Sequence, residues 1–224
     1  ATALDEYSDY SAIFFAKYQA DGSLAWARQS RQGSMLNSGT ESIGKRMTVF
    51  ADGSSALAGS FLGQLTLGVG EAGETSIVGP GDPDTTSYFV ARYDAAGLLQ
   101  WVRSQPQDRG NGSITCPDIA AGSDGTVLLA GNFLGAVVFG AGGQDQTTLI
   151  SNNPADVPTS GITLPSTFVA RLGLDGSFSW ARTLPTTVFA GNGSICIGAA
   201  GEGAAIVATG TRGMPLLGPA TVPQ

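Results

Sequence analysis

Histidine is absent from the 224 residues. Its absence excludes Ser-His-Asp and Cys-His nucleophile systems and removes the commonest general base and transition-metal ligand. Positive charge is scarce: 11 Lys and Arg stand against 18 Asp and Glu, a net charge of -7. Such a chain repels a phosphate backbone, so nucleic acid is not an expected partner. No apolar run approaches the roughly 20 residues a membrane-spanning helix needs. The stretch after Ala1 has neither a basic segment nor a long apolar one. The sequence predicts a soluble chain, processed or excised from a longer one. Charged residues make up only 13% and hydrophobic residues 42%, a balance that can bury a core. The 33 Gly and 11 Pro residues fit many short strands joined by turns better than long helices.

What the chain does have is a spacing that occurs three times without a gap. It runs Ala16-Lys17-x4-Gly22-x3-Trp26-Ala27-Arg28, then Ala91-Arg92-x4-Gly97-x3-Trp101-Val102-Arg103, then Ala170-Arg171-x4-Gly176-x3-Trp180-Ala181-Arg182. All three Trp residues and six of the eleven basic residues therefore occupy equivalent places, the mark of repeated architecture. A second motif alternates with it. Asp52-Gly53, Gly59-Ser60-Phe61-Leu62-Gly63 and Leu65-Thr66-Leu67-Gly68 return as Asp124-Gly125, Gly131-Asn132-Phe133-Leu134-Gly135 and Val137-Val138-Phe139-Gly140. The third copy, with Glu202-Gly203, Gly210-Thr211-Arg212-Gly213 and Leu216-Leu217-Gly218, is degenerate.

Each motif reads as a β-hairpin, because a Gly-containing turn separates two runs of alternating or apolar pattern. Two hairpins make a four-stranded unit. Period-2 geometry puts Leu24, Trp26 and Arg28 on one face of a strand, as it does Leu99, Trp101 and Arg103, and Phe178, Trp180 and Arg182. The Trp residues read as core between sheets. Each Arg reads as a stem laid over that core with its head on an acceptor at the sheet edge. Lys17, Arg92 and Arg171 are 75 and then 79 residues apart. A four-stranded propeller blade takes only about 40 to 45 residues. The excess falls at 71–86 and 142–166, both rich in Gly, Pro, Asp, Asn, Ser and Thr. Loops of that length are uncommon unless functional or mobile, which makes them the expected place for binding.

These residues resemble the bacterial β-propeller repeat family, often described as seven-bladed β-propeller repeats. The resemblance rests on Asp124 to Gly135, Phe89 to Trp101 and their counterparts, and covers nearly the whole chain. It implies an all-β fold of about three four-stranded antiparallel blades, forming part of a larger propeller in a secreted or cell-surface protein. It implies no reaction, because propellers carry many unrelated sites. The approximate repeats are 12–87, 88–166 and 167–224, the last incomplete, within one repeat domain or a fragment of one spanning 1–224. Three units are fewer than the roughly 4 to 8 blades of a closed propeller. A longer parent chain is the favoured source of the rest. Assembly of separate chains is the second solution, and a three-blade closure leaves too tight an axis.

Chemistry without histidine rests on carboxylates, such as a glycosidase pair. Yet Asp21, Asp52, Asp124 and Asp175 each directly precede Gly in a repeated turn, and read as turn residues whose side chains bond the backbone two residues on. Asp82 and Asp84, with Thr85 and Thr86 beside them, offer oxygen ligands that suit calcium, but lack the spacing of a calcium-binding loop. Asn111-Gly112-Ser113 and Asn192-Gly193-Ser194 are formal glycosylation acceptors and equally turn signals. Cys116 and Cys196 follow these related segments and read as near-equivalents in the repeat. They admit either a disulfide between neighbouring repeats, adding on the order of 4 kcal/mol, or two buried thiols. The Gly-rich segments do not match a phosphate-binding loop. The sequence thus predicts a non-catalytic exported module that contacts proteins, glycans or neighbouring subunits. A carboxylate-dependent polysaccharide hydrolase or lyase is the alternative.

Overall fold

The computed structural model describes residues 12–33, 42–79, 87–105, 112–141, 143, 145–151, 166–184, 195–200 and 204–209. Among them every regular element is a β-strand, and every pairing is antiparallel. No helix among the described residues is long and apolar enough to cross a membrane. The chain divides into two compact units, Ala1–Pro106 and Gln107–Gln224.

In the first unit β1 (Phe14–Tyr18) and β2 (Leu24–Gln29) form a hairpin. After it come β3 (Arg31–Gln32), β4 (Ser42–Val49), β5 (Ser55–Phe61), β6 (Gln64–Leu67), β7 (Thr75–Val78), β8 (Ser87–Tyr93) and β9 (Leu99–Gln105). The main sheet has the order β4-β5-β8-β9, and a smaller one the order β3-β6-β7. The two central strands of the main sheet are buried on both faces, β8 along its whole length.

The second unit follows the same plan. It contains β10 (Gly112–Ala121), β11 (Val127–Phe139), β12 (Thr147–Ile150), β13 (Ser166–Leu172), β14 (Phe178–Thr183), β15 (Ile195–Ala199) and β16 (Ala205–Thr209). Strands β10-β11-β13-β14 form its main sheet, β12 pairs with the far end of β11, and β15-β16 is a separate hairpin. Phe133, Phe139, Phe168 and Phe178 meet edge-on or tilted at centroid separations of 5.0–6.3 Å.

One turn geometry builds five of these hairpins. In each, the residue before a three-residue loop donates its N–H to the carbonyl of the residue after it, as Gln19 does to Ser23 (2.8 Å), and the loop glycine donates back to the carbonyl three residues earlier. The glycines are Gly22, Gly53, Gly97, Gly125 and Gly176, all with φ between 78° and 82°. A tight turn closed by a left-handed residue is one of the common hairpin solutions, and it explains why Gly recurs at a fixed offset.

Sheets join each Asp-Gly hairpin to the Trp hairpin that follows it. In place of about three four-stranded units, the described residues hold two such meanders and a hairpin at either end, β1-β2 and β15-β16. The stretches 71–86 and 142–166 are not wholly irregular, since β7 and β12 lie in them and extend the small sheets. The β-branched runs Thr75-Ser76-Ile77-Val78 and Thr147-Thr148-Leu149-Ile150 drive this, although turn residues surround both.

Candidate functional site

The residues most repeated in sequence form a clamp between successive hairpins of the first unit. Trp26 is half-buried, meets Phe15 edge-on at 5.6 Å, and lies against the backbone of Gly97. Its Nε1 donates to Ala95 O at 3.4 Å. Arg28 lies beside it, 5.5 Å from the Trp26 ring centroid, and donates from Nε to Gly97 O (2.9 Å) and from Nη2 to Ala96 O (3.1 Å). Lys17 Nζ reaches Ala95 O at 3.3 Å. Three side chains of the β1-β2 hairpin thus hold the turn between β8 and β9.

Glu71 completes this arrangement. Its Oε2 accepts from Leu99 N at 2.8 Å, and its Oε1 lies 2.8 Å from Arg28 Nε as an ion pair, the Nε hydrogen itself being aimed at Gly97 O. Burial pushes the Tyr93 phenol well above its usual range, and the nearby Glu71 carboxylate adds to this while Arg28 opposes it. A buried Tyr of that kind is a packing residue, not an acid or base near neutrality.

The other copies keep the local geometry. Arg103 and Arg182, like Arg28, donate Nη1 to the carbonyl of the preceding residue, at 2.9–3.0 Å. Arg103 lies over Trp101 at 5.8 Å. Trp180 packs against a buried cluster of Ala130, Val169 and Ile195, as do Ile197 and Val207 of the β15-β16 hairpin. The Trp rings, read from the sequence as core between sheets, are half-buried.

The basic residue at the head of each Trp motif takes a second role in the two full sheets. Arg92 is buried, donates from Nη2 to Ser54 Oγ at 3.1 Å and lies 4.0 Å over the Phe50 ring. Arg171 bonds Asp124 and Thr126. Each arginine thereby ties the turn of the preceding Asp-Gly hairpin to its own strand.

The Asp-Gly carboxylates are occupied as turn acceptors. Oδ1 of Asp21, Asp52, Asp124 and Asp175 accepts both the backbone N–H and the hydroxyl of Ser23, Ser54, Thr126 and Ser177 respectively, the hydroxyl bonds being 2.5–2.6 Å. The hydroxyl bond first and the N–H bond second hold Asp21, Asp52 and Asp124 below the usual carboxylate range. A folded value below the unfolded 3.8 means that this stabilisation is complete above about pH 4 and is lost as pH falls through the folded value. The stability difference between the native chain and Ser23→Ala, measured by urea unfolding, is therefore expected to be constant near neutrality and to narrow below about pH 4. A difference independent of pH down to pH 2 would refute the linkage.

Cys196 is a free, exposed thiol, so neither the disulfide to Cys116 nor a buried thiol is found at that position. The two cysteines are not register equivalents. Cys196 lies opposite Ala208, the place taken in the second main sheet by Asp118 opposite Ala130, whereas Cys116 falls in the bulge between Thr115 and Asp118. The side chain of Cys116 lies outside the described residues, as do Asp82, Asp84, Asn111 and Asn192. Among the described residues no group of three or more Cys, Asp and Glu side chains could hold a metal ion.

Sequence reasoning missed two linking carboxylates. Glu71 lies in a stretch read as a recognition loop, and Asp118 Oδ2 accepts from Ile197 N at 2.9 Å, joining β10 to β15. Neither position repeats as an acid, so no periodic signal marks it. The chain matches no protein-family model and no curated protein.

Proposed function

We propose that the chain is a propeller-type repeat module of an exported protein, acting without catalysis as a recognition or assembly scaffold for proteins or glycans. The observation that carries this reading is how the repeated side chains are used. Asp21, Asp52 and Asp124 are bound into turns at lowered pKa, unlike a glycosidase acid, which needs a raised one. The repeated Trp and basic residues lie on neighbouring hairpins and turns.

What varies between copies is the accessory strand and its flanks. Strand β7 lies at the edge of its small sheet and is largely exposed, and Ile150 of β12 is exposed as well. Edge strands with exposed β-branched side chains are suited to pairing with an extended segment. On this reading the variable hairpins carry the specificity and the repeats hold them in place.

A glycan panel and a pull-down from extracellular material, each scored separately for retention and for cleavage, test the proposal. Retention without product is the expected result. A turnover abolished by one carboxylate substitution with folding intact would establish the hydrolase or lyase instead.

A further inference from the structure

We propose that Glu71 makes the joint between the β1-β2 hairpin and the β8-β9 turn an acid-released latch, closed while its side chain is a carboxylate and loosened when it takes up a proton. Every contact in this joint lies inside the first unit.

The β8-β9 turn is gripped at both ends of its peptide dipoles. Its carbonyls at Ala95, Ala96 and Gly97 face Lys17, Trp26 and Arg28 of the hairpin. Its N–H groups face carboxylates: Asp94 Oδ1 accepts from Ala96 N and Leu98 N, both at 2.9 Å, and Glu71 Oε2 accepts from Leu99 N at 2.8 Å. Asp94 belongs to the turn itself. Glu71 comes from the segment between β6 and β7, and its second oxygen lies 2.8 Å from Arg28 Nε. This carboxylate thus joins the turn to the side chain that grips it.

Protonation acts on both of those contacts. Glu71 Oε1 is buried, and no described group donates a hydrogen bond to it, so what balances its charge is the nearby guanidinium. A proton there removes the ion pair and turns a charge-assisted bond from Leu99 N into a weaker neutral one. Arg28, with its side chain only 24% exposed, is then a partly buried cation held by carbonyls alone. The surrounding groups do not take over. Tyr93 of β8 is kept neutral by burial. Glu74 is turned to Gly70 N and lies 3.9 Å from Arg31 of β3, while Lys17 of β1 and Asp94 are engaged on the turn.

The latch belongs to one copy of the repeat. At the matching place in the second unit Gly143 N donates to Gly140 O at 2.9 Å, as Glu71 N does to Gly68 O at 2.9 Å. Gly140 lies against Phe178 as Gly68 lies against Leu99. The backbone is the same, but Gly143 has no side chain to titrate. Acid therefore acts on the β8-β9 turn through a group that the β13-β14 turn lacks.

Hydrogen exchange followed by NMR tests the latch in Glu71→Gln, which keeps the side chain's shape and an acceptor for Leu99 N while removing the charge. At about pH 7 the Leu99 amide and the Trp26 indole N–H of this variant are expected to exchange about tenfold faster than in the native chain, with the β13 amides unchanged. The native chain at about pH 3.5, where carboxylates take up protons, is expected to show the same increase after correction for the intrinsic exchange rate, and the variant no further one. Equal protection of Leu99 in the two proteins, or an acid step that persists in Glu71→Gln, overturns the latch. Loss of protection at Leu99 and along β13 alike overturns it as well, because the fold is then loosened as a whole and not at this joint.

Discussion

Phe89→Ala is expected to lower the unfolding free energy by about 3–5 kcal/mol, while Phe14→Ala, at the same motif position, changes it by less than about 0.5 kcal/mol. Phe89 is fully buried in β8 and meets Phe61 of β5 edge-on at 6.2 Å. Truncation there removes both the transfer free energy of the ring and its packing contacts, and leaves a cavity that two buried strands cannot close. Phe14 has no such enclosure, so its ring passes from water to water on unfolding. Urea unfolding measures both values. Equal losses would show that the ring of Phe14 is enclosed within a single chain, contrary to its exposure.

Gly97→Ala is expected to cost about 2–4 kcal/mol, against about 1 kcal/mol for Gly22→Ala. Both glycines close the same three-residue loop with left-handed backbone, at φ 78° and 82°, so the conformational strain on a new side chain is shared. Their surroundings differ. A Cβ on Gly97 would lie 2.7 Å from Cδ2 and Cε2 of Trp26, whereas a Cβ on Gly22 meets nothing within 4 Å. The Trp26 ring cannot retreat freely, because Phe15 lies on it and Arg28 is anchored to Gly97 O itself. The excess loss at Gly97 should therefore appear with a change in Trp fluorescence. If the two variants prove equally stable, the clamp contributes nothing beyond the turn.

The hairpins were legible because their turn geometry imposes residue types at fixed offsets: Asp to accept the i+2 donors, Gly to take positive φ, and Ser or Thr to supply the hydroxyl. Asp21, Asp52, Asp124 and Asp175 all behave as that pattern predicts. Legibility fails where glycine does not mean a turn. Gly135, at φ 74°, lies inside the 13-residue β11, and the strand continues through it. It fails again at Cys116, where a bulge moves the residue out of register with its sequence counterpart. Glu71 had no signal at all, since the second copy carries Gly143 at the matching place. Repeat arithmetic finds what copies share, and the linking carboxylates belong to single copies.

The Asp-Gly turns also bear on how the protein ages. An Asp-Gly bond rearranges when the glycine nitrogen attacks the aspartate side chain to close a five-membered imide ring. In these turns both reactants are already engaged. The carboxylate is held by the hydroxyl and N–H two residues on, and the N–H of Gly22, Gly53, Gly125 and Gly176 donates to the carbonyl three residues back. The hydrogen bonds that shape the hairpins thus shield the chain's four Asp-Gly linkages, which long storage of unfolded material would leave open to conversion into isoaspartate.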